Sequence, residues 1–96
     1  MEKLILTFEC HEGKGQELLT ILKSALQTTR SQKGCISVQA YTDSSNPNRI
    51  ILLQEWEDKD SQISYMKWRS DTGQQDVLGT ILLRPIIECW LAPAEV

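Results

Sequence analysis

The chain has 96 residues, 41% hydrophobic and 24% charged, with a formal net charge of −3. That length suits one domain over residues 1–96 with a modest core, and an acidic chain without a basic stripe argues against nucleic acid as a partner. Three cysteines with no CxxC or His–Cys spacing offer no metal site. No apolar run approaches the ~18–20 residues needed to span a bilayer, and the N-terminus lacks a signal-peptide pattern. The expectation is a reduced, soluble, cytoplasmic protein that does not enter membranes.

Lys3 to Cys10 sets Leu4, Leu6, Phe8 and Cys10 against Lys3, Ile5, Thr7 and Glu9, a period of two that predicts a strand with one buried face. Neighbouring strand residues point to opposite faces, so Cys10 and His11 do not form a nucleophile–base pair, and His11 reads as a surface residue. Gly13-Lys14-Gly15 lacks a longer glycine pattern and reads as a helix start rather than an anion loop. From Gln16 to Arg30, Leu18, Leu22, Ala25, Leu26 and Thr29 recur at helical spacing, and Ser31-Gln32-Lys33-Gly34 supplies the stop. Cys35 to Thr42 is a second strand, with Ile36, Val38 and Ala40 on one side. The turn formers Asp43 to Asn48, with Asn46 and Asn48 read as turn residues, connect it to a third strand, Arg49 to Trp56, as a hairpin. Asp58 caps a second helix. Ser70 or Asp71 is expected to cap a further short helical turn through Leu78, ended by Gly79. Arg84 to Leu91 is the last strand, with Pro85 tolerable only at its start or on an edge.

The order β-α-β-β-α-β predicts an α+β, ferredoxin-like fold: a four-stranded antiparallel sheet with both helices on one face. The other face is a problem for a monomer. Ile50, Ile51, Leu52 and Leu53 are apolar on both sides of their strand, and Ile86, Ile87, Cys89, Trp90 and Leu91 repeat this. Exposing such a face would leave several hundred Å² of apolar surface in water, on the order of what marks an interface. The expectation is a homodimer through the sheet face, sharing a barrel-like core.

The corner from Arg49 to Trp68 holds most of the candidate functional residues. Trp56 is either core or pocket wall. Tyr65 and Trp68 share one helix face, with Ile63 and Met66 nearly opposite. Either one pair packs on the sheet while the other lines a cleft, or Tyr65 and Trp68 pack on the following helix or a partner chain. Glu55 is a pocket acid or a solvated strand-end charge. Arg84 anchors an anionic oxygen or joins a surface salt bridge. Lys67 and Arg69, flanking Trp68, read as an exposed helix end.

Gly34-Cys35-Ile36-Ser37-Val38-Gln39-Ala40-Tyr41, then Asn46-Pro47-Asn48-Arg49, then Leu53-Gln54-Glu55-Trp56-Glu57-Asp58-Lys59 resembles the antibiotic biosynthesis monooxygenase family, small proteins that form a dimeric α+β barrel. The likeness covers about Lys3 to Leu91. Many members read Glu-x-Trp where this chain has Glu55 directly before Trp56. The resemblance implies cofactor-independent oxygenation of an electron-rich aromatic, quinol-like or polyketide-like, in an apolar pocket with aromatic walls and a group that holds the substrate anion. Beside that chemistry, Trp56, Tyr65, Trp68, Glu55 and Arg84 are the candidates for substrate contact. No catalytic residue is assigned, and no metal or cofactor is expected. Relatives of the fold that degrade haem use a histidine on or after the second helix. Asp58 to Thr80 contains none, which disfavours that activity. The alternatives are an isomerase or other enzyme of a small carbonyl metabolite, and a non-catalytic ligand-binding or structural dimer.

Overall fold

In the computed structural model, residues 1–73 and 76–96 are described. β1 (Glu2–Glu9) buries Leu4, Leu6 and Phe8, with Cys10 just beyond it, as its alternation predicts. α1 (Gly15–Arg30) lays Leu18, Leu22, Leu26 and Thr29 on the sheet. The turn after α1 ends at Gly34, whose φ of +88° is open to glycine at little cost. A Cβ there would also stand 2.5 Å from Ser61 Oγ, so the end of α1 and the start of the second helix meet at this residue.

β2 (Cys35–Asp43) turns through Ser44-Ser45 into β3 (Asn46–Trp56), whose even-numbered residues from Ile50 to Trp56 are all buried. α2 (Lys59–Asp71) begins at Asp58, whose side chain accepts from the Ser61 N–H at 2.8 Å. That backbone donor, then the Ser61 side chain, holds the Asp58 carboxyl below its usual range. α3 (Leu78–Ile81) and β4 (Ile87–Leu91) complete the chain. The sheet is antiparallel in the order β2-β3-β1-β4, as the ferredoxin-like reading requires.

Several local expectations need correction. Ser70 and Asp71 lie inside α2, which ends ahead of Gly73 (φ +74°). The expected turn through Leu78 runs across residues 74 and 75, which lie outside the described residues, and Gly79 sits within α3 rather than after it. β4 starts at Ile87 instead of Arg84, because Pro85 has no N–H for the ladder. In β2 the register shifts between Cys35 and Ser37, so Ile36 bulges outward and is 49% exposed instead of facing the core.

Pairing fixes which residues share the uncovered face. Ile5 lies opposite Leu53 and Cys89, Thr7 opposite Ile51 and Ile87, and Lys3 opposite Glu55 and Leu91. Tyr41 extends the face on β2. Ion pairs rim one end: Arg49 with Glu9 and Asp43, and Arg84 with Glu9. Among the described residues, no helix is long and apolar enough to cross a membrane.

Candidate functional site

α1 and α2 do not cover the sheet in the same way. α1 presents leucines, whereas the residues α2 buries are Gln62 and Tyr65. Between them, above β1 and β3, lies a part-open cleft of about 60 Å³. Its walls are apolar: Leu6 and Phe8 from β1, Leu52 from β3, Ile21, Leu22 and Leu26 from α1, and Met66, Leu78 and Ile86 around the rest. The polar side chains that reach it are Gln54, Thr29, Tyr65 and Arg69.

Gln54 is on the covered face of β3 by the same alternation that buries Ile50 and Leu52, and it is only 4% exposed. Trp56 Nε1–H donates to Gln54 Oε1 at 2.8 Å. An indole N–H can only donate, so the amide atom it meets must be the oxygen. What Gln54 can then offer the cleft is its NH2 group.

The second polar group is a relay. Thr29 Oγ1 donates to Ala25 O within α1 at 3.2 Å. Its 2.7 Å contact with Tyr65 Oη is a hydroxyl–hydroxyl bond in which either oxygen can donate. Arg69 Nη1 donates in turn to Tyr65 Oη at 2.6 Å. Arg69, Tyr65, Thr29 and the Ala25 carbonyl thus form one connected set of hydrogen bonds. The Arg69 guanidinium lies 5.5 Å from the centre of the Tyr65 ring. Helical spacing explains the pair, since residues four apart stack on one face.

Of the residues singled out from sequence, the structure brings Trp56 and Tyr65 together, with ring centres 6.0 Å apart. Tyr65 lines the cleft, while Trp56 stands behind it and touches it through Gln54. Trp68 stacks on Tyr65 at 6.0 Å but is 45% exposed and borders a separate polar groove with Lys33 and Asp60. Met66, expected on the face opposite Tyr65, shares the cleft with it, and Ile63 is exposed.

Glu55 and Arg84 are not brought to the cleft. Glu55 points to the uncovered face, where Ser37 Oγ donates to it at 3.4 Å. Arg84 ion-pairs with Glu9 at 2.9 Å and is largely in solvent. Gln54 was not singled out, although a lone glutamine in register with Ile50, Leu52 and Trp56 is a readable signal; Thr29 was read only as part of the α1 face, and Arg69, read as part of an exposed helix end, instead lines the cleft, held there by its bond to Tyr65. Among the described residues, no three His, Cys, Asp or Glu side chains converge where a metal could be held.

Comparison with known proteins extends this geometry. The family model for antibiotic biosynthesis monooxygenase matches residues 1–77. PA3566 from Pseudomonas aeruginosa superposes with a TM-score of 0.84 at 15% identity, covering 98% of this chain and 94% of that one. A conserved protein from Methanosarcina mazei Go1 gives 0.82 at 21% identity, covering 94% and 89%. A protein described as an antibiotic biosynthesis monooxygenase gives 0.85 at 14% identity, covering 99% and 100%. At such identities the likeness speaks to the fold. No curated protein matches the sequence. The matched stretch runs from β1 through α2 and includes Gln54, Tyr65 and Arg69, and on that match the chain belongs to the antibiotic biosynthesis monooxygenase family.

Proposed function

We propose that the cleft binds a small electron-rich aromatic, quinol-like or polyketide-like, as its anion and promotes its oxygenation by O2 without a cofactor. The observation that carries this reading is an apolar cleft whose lining includes two N–H donor side chains, Gln54 and Arg69. Apolar walls suit the ring, and N–H donors suit a phenolate oxygen whose charge they hold.

For a naphthol-like substrate the balance closes with O2 alone. The hydroxyl proton leaves, and the anion passes one electron to O2, giving an aryl radical and superoxide. These recombine at a ring carbon as a peroxide. Loss of that carbon's hydrogen and cleavage of the O–O bond release water and leave a carbonyl. One oxygen atom enters the ring and the other leaves as water. Among the described residues, those lining the cleft include no carboxylate or imidazole. The proton therefore goes to water at the mouth, and Arg69 favours its departure by stabilising the anion.

The size of the cleft sets a further condition. A cavity of roughly 150 Å³ is known to take benzene, so about 60 Å³ admits a ring only if the mouth opens. Met66 lines the cleft and is an adaptable side chain. Oxygen uptake with a panel of naphthols and naphthoquinols tests the proposal, with Gln54→Met and Arg69→Met expected to lower the rate by about 10²-fold. Uptake that neither substitution changes would end this reading. The small volume is the observation that favours a second one, turnover of a small carbonyl metabolite whose oxygen meets the same donors. Thermal stabilisation by small ketones with no oxygen uptake from any naphthol would select it.

The homodimer belongs to this proposal. Ile5, Ile51, Leu53, Ile87, Cys89 and Leu91 form a continuous apolar face, and Ile87 is 50% and Leu91 42% exposed. A second copy packed sheet to sheet would bury it. Light scattering should give twice the 11.0 kDa of the chain, and Leu53→Glu should give a monomer. A wild-type monomer at micromolar concentration would refute the dimer.

A further inference from the structure

Trp56 is completely buried and does not line the cleft, yet it holds the one polar side chain that β3 presents there. We infer that Trp56 is a positioning residue that fixes the polarity of the site. By locking Gln54 with its NH2 inward, it makes the cleft select an acceptor oxygen, carbonyl or phenolate, over an N–H donor of the same shape. The inference rests on the cleft being the ligand site.

Counting donors decides the orientation. Rotating the Gln54 amide by half a turn would set its NH2 against the indole N–H and leave a fully buried donor with no acceptor. The penalty for such an orphan favours the observed orientation on the order of tenfold to a hundredfold. Phenylalanine would fill similar space without imposing any orientation. Arg69 Nη1 donates to Tyr65 Oη, and the guanidinium carries further N–H groups. Gln54 and Arg69 thus bring N–H donors to the cleft lining. A phenolate, and the quinone-type carbonyl formed from it, can accept from them. An N–H ligand of the same outline leaves these donors unmet, a loss that sites built around one polarity turn into discrimination.

The test uses two neutral bicyclic probes of similar shape, 1-indanone as an acceptor and indole as a donor, titrated by NMR against wild type, Trp56→Phe and Gln54→Met. Wild type should bind 1-indanone about tenfold more tightly than indole, with the Gln54 side-chain NH2 resonances shifting on 1-indanone. Trp56→Phe should bring the ratio to within roughly threefold, chiefly by improving indole, because the amide can then turn. Gln54→Met should lower the ratio by losing affinity for 1-indanone. A Trp56→Phe protein that keeps the full preference overturns the inference. If that variant does not fold, an unchanged ratio in Gln54→Met, or Gln54 resonances in wild type that ignore 1-indanone, overturns it equally. Two probes that bind wild type with equal strength refute this inference and leave the cleft as a ligand site. Failure of both to bind at all removes the ligand site and the inference together.

Discussion

The Thr29–Tyr65 hydrogen bond joins the two helices, and a double-mutant cycle measures how much it holds. Both residues are 5% exposed and the oxygens are 2.7 Å apart, so the bond is short and shielded from water. A neutral buried hydrogen bond contributes about 1 kcal/mol net. Tyr65→Phe removes it and also removes the acceptor for Arg69. Arg69 is partly exposed and can turn to solvent, so that second loss is well below the figure for a buried charged bond. The sum is about 1.5–2.5 kcal/mol for Tyr65→Phe. Thr29→Val keeps the side-chain shape and loses about 1 kcal/mol. Because the two losses share one bond, the double variant should fall short of their sum by about 1 kcal/mol. Thermal or urea unfolding at one fixed protein concentration reads the cycle, with about 4–8 °C in Tm per kcal/mol for a chain of this size. Additivity within about 0.3 kcal/mol would show that the contact does not hold α2 to α1.

The remaining predictions concern other parts of the frame. Gln62 is 3% exposed and its Nε2 has no hydrogen-bond partner among the described residues. Gln62→Met removes that orphan at similar volume and should raise stability by about 1 kcal/mol, and a lower Tm would count against it. Gly34→Ala adds a Cβ at positive φ and 2.5 Å from Ser61 Oγ. It should destabilise by about 2–3 kcal/mol, part of which Ser61→Gly restores. An unchanged urea midpoint would show that this helix junction yields easily. The folded Asp58 carboxyl titrates below its unfolded value of about 3.9. The stability it adds is therefore present above that pH and is lost as pH falls through the folded value. Asp58→Asn keeps an N-cap that does not titrate, so its urea midpoint should fall less steeply than that of wild type below about pH 4. Parallel acid limbs would contradict this.

Period-two alternation carries most of the fold, and applied strictly it carries more of the site as well. Leu4, Leu6 and Phe8 on β1 are buried where the pattern puts them, and on β3 Ile50, Leu52, Gln54 and Trp56 are buried although Ile50 to Leu53 read as apolar on both sides. The same pattern assigns Gln54 to the covered face and Glu55 to the uncovered one, so strand parity alone separates Glu55 from the cleft. A place beside Trp56 in a family-like motif does not change which way its side chain points. Trp68 is a different case. Spacing correctly places it against Tyr65, but spacing cannot say which of two stacked aromatics faces inward. The bulge at Ile36 is not legible, because an extra residue in an edge strand changes register without changing composition. Pro85 marks the true limit of β4: the ladder begins beyond it, and a strand drawn from Arg84 starts too early.

The cleft follows from the way α2 is attached. α1 is held by Leu18, Leu22 and Leu26, each worth roughly 1.5–3 kcal/mol on burial. α2 buries Gln62 and Tyr65 and is tied at points: the Gly34–Ser61 contact, the Tyr65–Thr29 bond, and Lys59 5.4 Å from the Trp90 ring centre. Point ties do not fill the space beneath the helix as leucines would. Each is also weaker than one of those leucines, at about 1 kcal/mol for the buried hydrogen bond against roughly 1.5–3 kcal/mol for a buried leucine. A ligand too large for about 60 Å³ therefore gains room most easily by displacing the α2 side, with Met66 and Tyr65, while Gln54 stays fixed to β3 by Trp56. The Gln54 donor stays in place while the α2 wall, Arg69 included, moves. On that arithmetic the β3 side of the cleft is rigid and its α2 side is adjustable.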